Sequence, residues 1–196
     1  MGGVKIWWDV MTGRLNGDAK GQFLGEFDGD DKVLVIYKDG HYELSNYELI
    51  NRFEPDTVYF IQKYIKVVSL DKGLVPFHLF DYQEDMINKI HDNRFIIAKL
   101  PRQSGKTTTV TSYLLHYILF NQSMNVAILA NKQSTAKDIL ARLKLAYEYL
   151  PTWLQQGIKE WNKYSIALEN GSRVIAAATS SSAIRGGSYN FLVLDE

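Results

Sequence analysis

Lys99-Leu100-Pro101-Arg102-Gln103-Ser104-Gly105-Lys106-Thr107-Thr108 follows the apolar run Phe95-Ile96-Ile97-Ala98 and opens a helical pattern through Val110, Tyr113, Leu114, Tyr117 and Ile118. A strand, a tight loop closing on Gly-Lys-Thr, then a helix is the setting that a phosphate-binding loop requires. Such a loop lets backbone N–H groups and a helix N-terminus converge on one anion. Lys106 adds a mobile positive charge for terminal phosphates, and the Thr107 hydroxyl is suited to Mg²⁺. The usual pattern, G-x-x-x-x-G-K-[ST], has Leu100 here in place of its first glycine.

A second motif strengthens the first. The chain ends in Phe191-Leu192-Val193-Leu194-Asp195-Glu196, an apolar strand that delivers two carboxylates. In this pattern Asp195 joins the Mg²⁺ shell and Glu196 orients or activates the attacking water. The pair of motifs, in this order, points to a nucleoside triphosphate with Mg²⁺ as the ligand, which the resemblance below narrows to ATP.

The departure from the usual loop is informative. Arg102-Gln103-Ser104-Gly105-Lys106-Thr107 resembles the deviant phosphate loop of the large terminase subunit, the DNA-packaging ATPase of tailed phages. Phe80-Asp81-Tyr82-Gln83 is similar to that family's adenine-recognising glutamine motif. Asn131-Lys132, Trp161-Asn162-Lys163 and the run Ala177 to Gly186 follow in the family's order. The resemblance spans about residues 59–196, nearest to the terminases of large myoviruses.

The resemblance implies site roles. Arg102 acts as an arginine finger in cis, an effect of about 10³–10⁵ in rate where it operates. Its other reading is a loop-shaping hydrogen bonder. Gln83 pairs with the adenine edge, as an amide can. It also fits a solvated polar face of a helix carrying Met86, Ile87 and Ile90. Gln103, Ser104, Gly105, Lys106, Thr107 and Thr108 hold the phosphates, Thr107 and Asp195 hold Mg²⁺, and Glu196 is catalytic. Arg185, in the small-residue loop before the last strand, is a further candidate near the nucleotide or a neighbouring subunit. The implied partners are double-stranded DNA, a portal and a small terminase subunit, with homo-oligomers at full length, in the host cytoplasm.

Composition sets the frame. Zero cysteines exclude disulfides and thiolate metal sites. No stretch has eighteen consecutive apolar residues, so no membrane span is expected. The N-terminus has no signal-peptide core, since Asp9 and Arg14 come early. His41, His78, His91 and His116 show no metal spacing. Residues 1–64 hold seven Lys and Arg against eleven Asp and Glu, and residues 65–196 hold fifteen against eleven. Neither half is basic enough to announce nucleic acid on charge alone.

The first 54 residues read as a separate all-β module. Phe23 to Phe27 and Lys32 to Tyr37 are strand candidates, and Asp39-Gly40 is a hairpin turn before Tyr42-Glu43-Leu44. Gly13 to Asn16, Gly21 to Gly25 and Lys32 to Leu49 resemble repeats of the C-terminal β-pinwheel of type IIA topoisomerase A subunits, which bend or wrap DNA. One or two blades cannot bury their faces alone, so a small β module anchored by Trp7-Trp8 is the competing reading. Pro55, in Glu54-Pro55-Asp56, marks the boundary. The join admits three origins: a natural fusion, a recombinant, or a sequence-assembly join.

From residue 55 on, strand and helix patterns alternate. Asn125 to Ala130 reads as a strand, Ser134 as the N-cap of a helix ending near Pro151, and Trp161 to Ala176 as a hairpin turning at Asn170-Gly171. The order predicts an α/β phosphate-loop fold, a mostly parallel sheet with helices on both faces. Stopping at Glu196, the domain reads as truncated. The whole implies the N-terminal ATPase part of a terminase. Two rivals stand: a superfamily-two helicase, whose loop carries more glycine, and a non-enzymatic DNA-binding fragment led by the β module.

Overall fold

The structure is a computed structural model that describes residues 4–9, 14–16, 19–27, 32–36, 42–46, 56–69, 71–152, 154–179, 184 and 186–195. The chain divides into two compact units, Met1–Asp56 and Thr57–Glu196. The turn expected at Asp39-Gly40, the boundary at Glu54-Pro55 and the side chain of Trp8 lie outside the described residues.

The described elements of the first unit are strands. β1 (Val4–Asp9), β2 (Arg14–Asn16) and β3 (Gln22–Phe27) form one antiparallel sheet in the order β2-β1-β3. β4 (Lys32–Ile36) and β5 (Tyr42–Asn46) pair antiparallel, with Leu34 and Leu44 in register. Ile6 is buried, and Trp7 packs on Phe23 with ring centroids 5.1 Å apart. The sequence reading placed strands at β3 and, from its β-branched run, at β4. β1 and the three-residue β2 are too short or too irregular in pattern to stand out.

The second unit begins with α1 (Thr57–Tyr64), the hairpin of β6 (Lys66–Ser69) and β7 (Gly73–Pro76), and α2 (Asp81–Asp92). α3 (Lys106–Phe120), β8 (Asn125–Ala130) and α4 (Gln133–Glu148) follow. β9 (Ile158–Trp161), β10 (Ser165–Leu168), β11 (Arg173–Ala178) and β12 (Phe191–Asp195) complete it. The sheet order is β12-β8-β11-β10-β9. β12, β8 and β11 pair in parallel, β10 runs against them, and β9, antiparallel to β10, points their way again. The sheet is therefore mixed, and the parallel pairing expected of most of it is confined to the three strands β12, β8 and β11. The short Asn170-Gly171 turn forces β10 and β11 antiparallel, since a parallel pair needs a crossover of a dozen or more residues.

One apolar core joins the four described helices of the second unit to a single sheet face. Val126, Ile128, Val174 and Ala176 present that face to Leu114, Leu115 and Ile118 of α3 and to Ile139, Leu140 and Leu143 of α4. Phe191 joins it by packing on Tyr113 and Tyr117, each with centroids 5.7 Å away. On the opposite face Leu192 and Leu194 are exposed, Leu194 by 67%. The expected cover of helices on both faces is not present among the described residues.

Two local expectations are corrected. Phe95–Ala98 is not a strand: Phe95 and Ile97 are 84% and 97% exposed. A cavity of about 230 Å³ lined by Ile96, Ala98 and Phe191–Asp195 lies between this segment and the sheet edge. No ladder can form across such a gap, because paired strands lie about 4.8 Å apart. Ser134 is not the N-cap of α4 either; Lys132 is, in extended backbone, and the helix starts at Gln133. Tertiary packing of Ala136, Ile139 and Leu140 outweighs the modest gain of a hydroxyl cap.

Candidate nucleotide-binding site

The loop from Lys99 to Gly105 leads directly into α3. Gly105 is the N-cap, at φ 76°, a left-handed conformation that costs glycine nothing. Gln103 takes φ 62°, rare for a residue with a side chain, and this turns the loop tightly ahead of the helix. Ser104 Oγ donates to Pro101 O at 2.9 Å and closes the loop upon itself. Below it Thr109, fully buried, donates through Oγ1 to Gly105 O at 3.1 Å. The first N–H groups of α3 have no intrahelical acceptor, and the helix dipole adds a partial positive charge there.

Lys106 Nζ donates to Leu100 O at 2.9 Å and to Pro101 O at 3.0 Å. The ammonium thus folds back over the loop that carries it. Lys106, Thr107 and Asp195 line the same cavity, with Arg94, Val110 and Ile139 among its other walls. Asp195 is carried there by β12, whose register pairs it with Ala130 at the end of β8. A cation, a hydroxyl and a carboxylate at a helix N-terminus are the donor set that a polyphosphate with Mg²⁺ needs. Among the described residues no group of three or more His, Cys, Asp or Glu could hold a metal alone.

Gln83 is placed differently from the other loop residues. It is 2% exposed, on the first turn of α2. Its Oε1 accepts from Phe80 N at 2.9 Å, and its Nε2 donates to Ser104 O at 3.4 Å. The first bond is the reach-back half of a capping box. Phe80 has no side-chain oxygen to make the other half. Tyr82 reinforces the link, its hydroxyl donating to Ser104 O at 2.7 Å. The amide therefore ties α2 to the loop. Arg102 and Gln103 are exposed on the loop, and Thr108 O accepts from Thr111 Oγ1 and Ser112 Oγ. Glu196 and Arg185 lie outside the described residues.

Sequence reasoning assembled most of these residues but missed the roles of Ser104 O and Tyr82. A carbonyl has no sequence signal, and Tyr82 was legible only as part of its motif. His116 is accounted for by packing: it sits edge-on to Phe60 at 5.2 Å, and its Nδ1 is 3.1 Å from Thr57 Oγ1.

A family model described as terminase large subunit, T4likevirus-type, N-terminal, matches residues 97–196, from just before the loop to the end of the chain. The chain belongs to the terminase large-subunit family. The crystal structure of the HK97 bacteriophage large terminase is similar in fold, with a TM-score of 0.59 and 21% identity. That likeness covers 71% of this chain and 30% of the HK97 protein, so the chain spans under a third of that terminase. A second family model, topoisomerase C-terminal domain of Bacteroidota, matches residues 14–140, and over that stretch the chain belongs to that family too. This match takes in most of the β unit and runs on through α1, α2, α3 and part of α4. The two matches overlap at 97–140, where the terminase match alone continues through the strand that carries Asp195. No helix among the described residues is long and apolar enough to cross a membrane.

Proposed function

We propose that residues 57–196 form the ATP-binding part of a terminase motor that couples ATP hydrolysis to movement of double-stranded DNA into a procapsid. The observation that carries the reading is the meeting of Lys106, Thr107 and Asp195 on one cavity at the start of α3. The N–H groups of α3 and the loop receive the phosphates. Lys106 leaves the carbonyls of Leu100 and Pro101 and turns to the terminal phosphates. Thr107 and Asp195 hold Mg²⁺, which neutralises charge on the β- and γ-oxygens when bound. Arg102, exposed on the loop, supplies further charge to the transferring phosphoryl group, and Glu196 orients the attacking water. Gln83 fixes the loop from below, and adenine pairing by its amide requires that the base replace its bonds to Phe80 N and Ser104 O. The whole motor is a homo-oligomer working with a portal and a small terminase subunit in the host cytoplasm.

Calorimetry with ATP and Mg²⁺ tests this. Replacing the Lys106 ammonium leaves the polyphosphate undercompensated at the helix N-terminus. The expected outcome is a loss of at least about tenfold in Lys106→Ala, about 1.4 kcal/mol. Equal binding by parent and variant overturns the assignment.

A further inference from the structure

The sheet's other edge, β9, carries a second feature that shares no residue with the loop. Between the outer side of α4 and the β9–β10 hairpin lies an open cavity of about 320 Å³. Its walls are Lys137, Ala141, Lys144, Trp161, Asn162 and Lys163: three cations and no carboxylate. Lys137, Ala141 and Lys144 are four and then three residues apart, so they share one face of the helix. Ala141 keeps that face low between the two lysines.

Lys144 is fixed in place. Its Nζ lies 4.7 Å from the centroid of the Trp161 ring and donates to Asn162 O. Burial lowers its pKa, and Glu148 and Glu160 oppose that effect. A partly desolvated ammonium gains more from an incoming anion than a fully hydrated one. The nearby acid Glu160 is already answered. It accepts from Ser165 Oγ and Asn162 Nδ2, each at 2.5 Å, and pairs with Arg173 at 3.5 Å.

We propose that this cavity is a contact for the phosphate backbone of duplex DNA, with Lys137, Lys144 and Lys163 as the phosphate partners. Lys137 and Lys144 stand about 10 Å apart along α4. Separate ammonium groups along one helix face suit successive phosphates of one strand. Lys163 approaches from the hairpin side. Lysines are point charges without a planar fork, so they neutralise phosphates and read no base. Trp161 offers no open ring face to an unstacked base where Lys144 covers it, which favours a duplex over a single strand.

Fluorescence anisotropy with a short labelled duplex of arbitrary sequence and the 196-residue chain tests the site. In the double variant K137A/K163A the affinity at low salt should fall by at least about tenfold, and the slope of log affinity against log salt should shrink by about two. ATP binding measured by calorimetry should be unchanged in the same variant, which separates failure here from failure of the nucleotide reading. Unchanged DNA affinity and slope overturn the proposal. So does displacement of the duplex by pyrophosphate at matched ionic strength, which would make this a free-phosphate site. Tighter binding of the corresponding single strand, lost in the same variant, would overturn it as well.

Discussion

Gly105 shows how much one residue can carry. It caps α3 at φ 76°, and a Cβ built there would stand 2.6 Å from Gln83 Nε2. Gln83 is buried and bonded at both ends of its amide, so it cannot simply swing away. Gly105→Ala should therefore destabilise the second unit by more than about 1 kcal/mol, the backbone cost and the clash acting together. Urea unfolding of Gly105→Ala, Gln83→Ala and the double variant separates the two. The clash predicts that the double loses less than the sum of the singles. Strict additivity would mean that the loop moves freely over α2, against the contacts at Ser104 O. The loop residues themselves were legible because glycine, lysine and threonine stand in fixed order. The lodging of Gln83 beneath them was not, because it depends on how α2 docks.

At the scale of elements, the Asn170-Gly171 turn was visible as a hairpin signal, and it does more than reverse the chain. Asn170 Nδ2 donates to Ile118 O at 2.7 Å and to Asn121 O at 3.1 Å, meeting carbonyls at the end of α3 that lack helical donors. Asn170→Ala should cost about 1–2 kcal/mol and speed amide exchange in the last turn of α3, as hydrogen exchange would detect. An unchanged last turn would mean that water replaces the amide at no cost. The β9–β10 hairpin carries a pH signature. The Ser165 hydroxyl holds the Glu160 carboxyl below its ordinary value, with Arg173, Asn162 and Lys144 adding to the effect against burial. A carboxyl whose folded pKa is depressed contributes stability above its unfolded value and loses it as pH falls through the folded one. In Ser165→Ala the folded value moves toward the unfolded one, so that loss should be smaller and complete at a higher pH on acidification. A carboxyl titration by NMR should move Glu160 toward its ordinary value; no movement would assign the shift to Arg173 instead.

At the scale of the whole molecule, the two units should unfold as separate bodies. Limited proteolysis is expected to cut between about residues 50 and 58 before it cuts either body, as domain boundaries do. ATP with Mg²⁺ at a hundredfold excess over its Kd should raise only the second unit's transition, by about 2.7 kcal/mol. A shared shift of both transitions would mean one cooperative body. Hydrophobic patterning announced β8 and β12 with nearly their observed limits, and α2 and α3 by their periodic positions. These follow from local chemistry: a turn residue, a period of 3.6, an apolar run. The fate of Phe95–Ala98 did not follow. Its composition is that of a strand, but a strand exists only where a neighbour accepts its hydrogen bonds, and here a cavity separates it from β12. The mixed sheet, the gathering of four helices on one face and the meeting of Lys106 with Asp195 were likewise decided in three dimensions. The sequence by itself determined the motifs and the local elements that carry them; only the tertiary structure decided which of those residues stand together, because pairing and packing join residues that lie far apart along the chain.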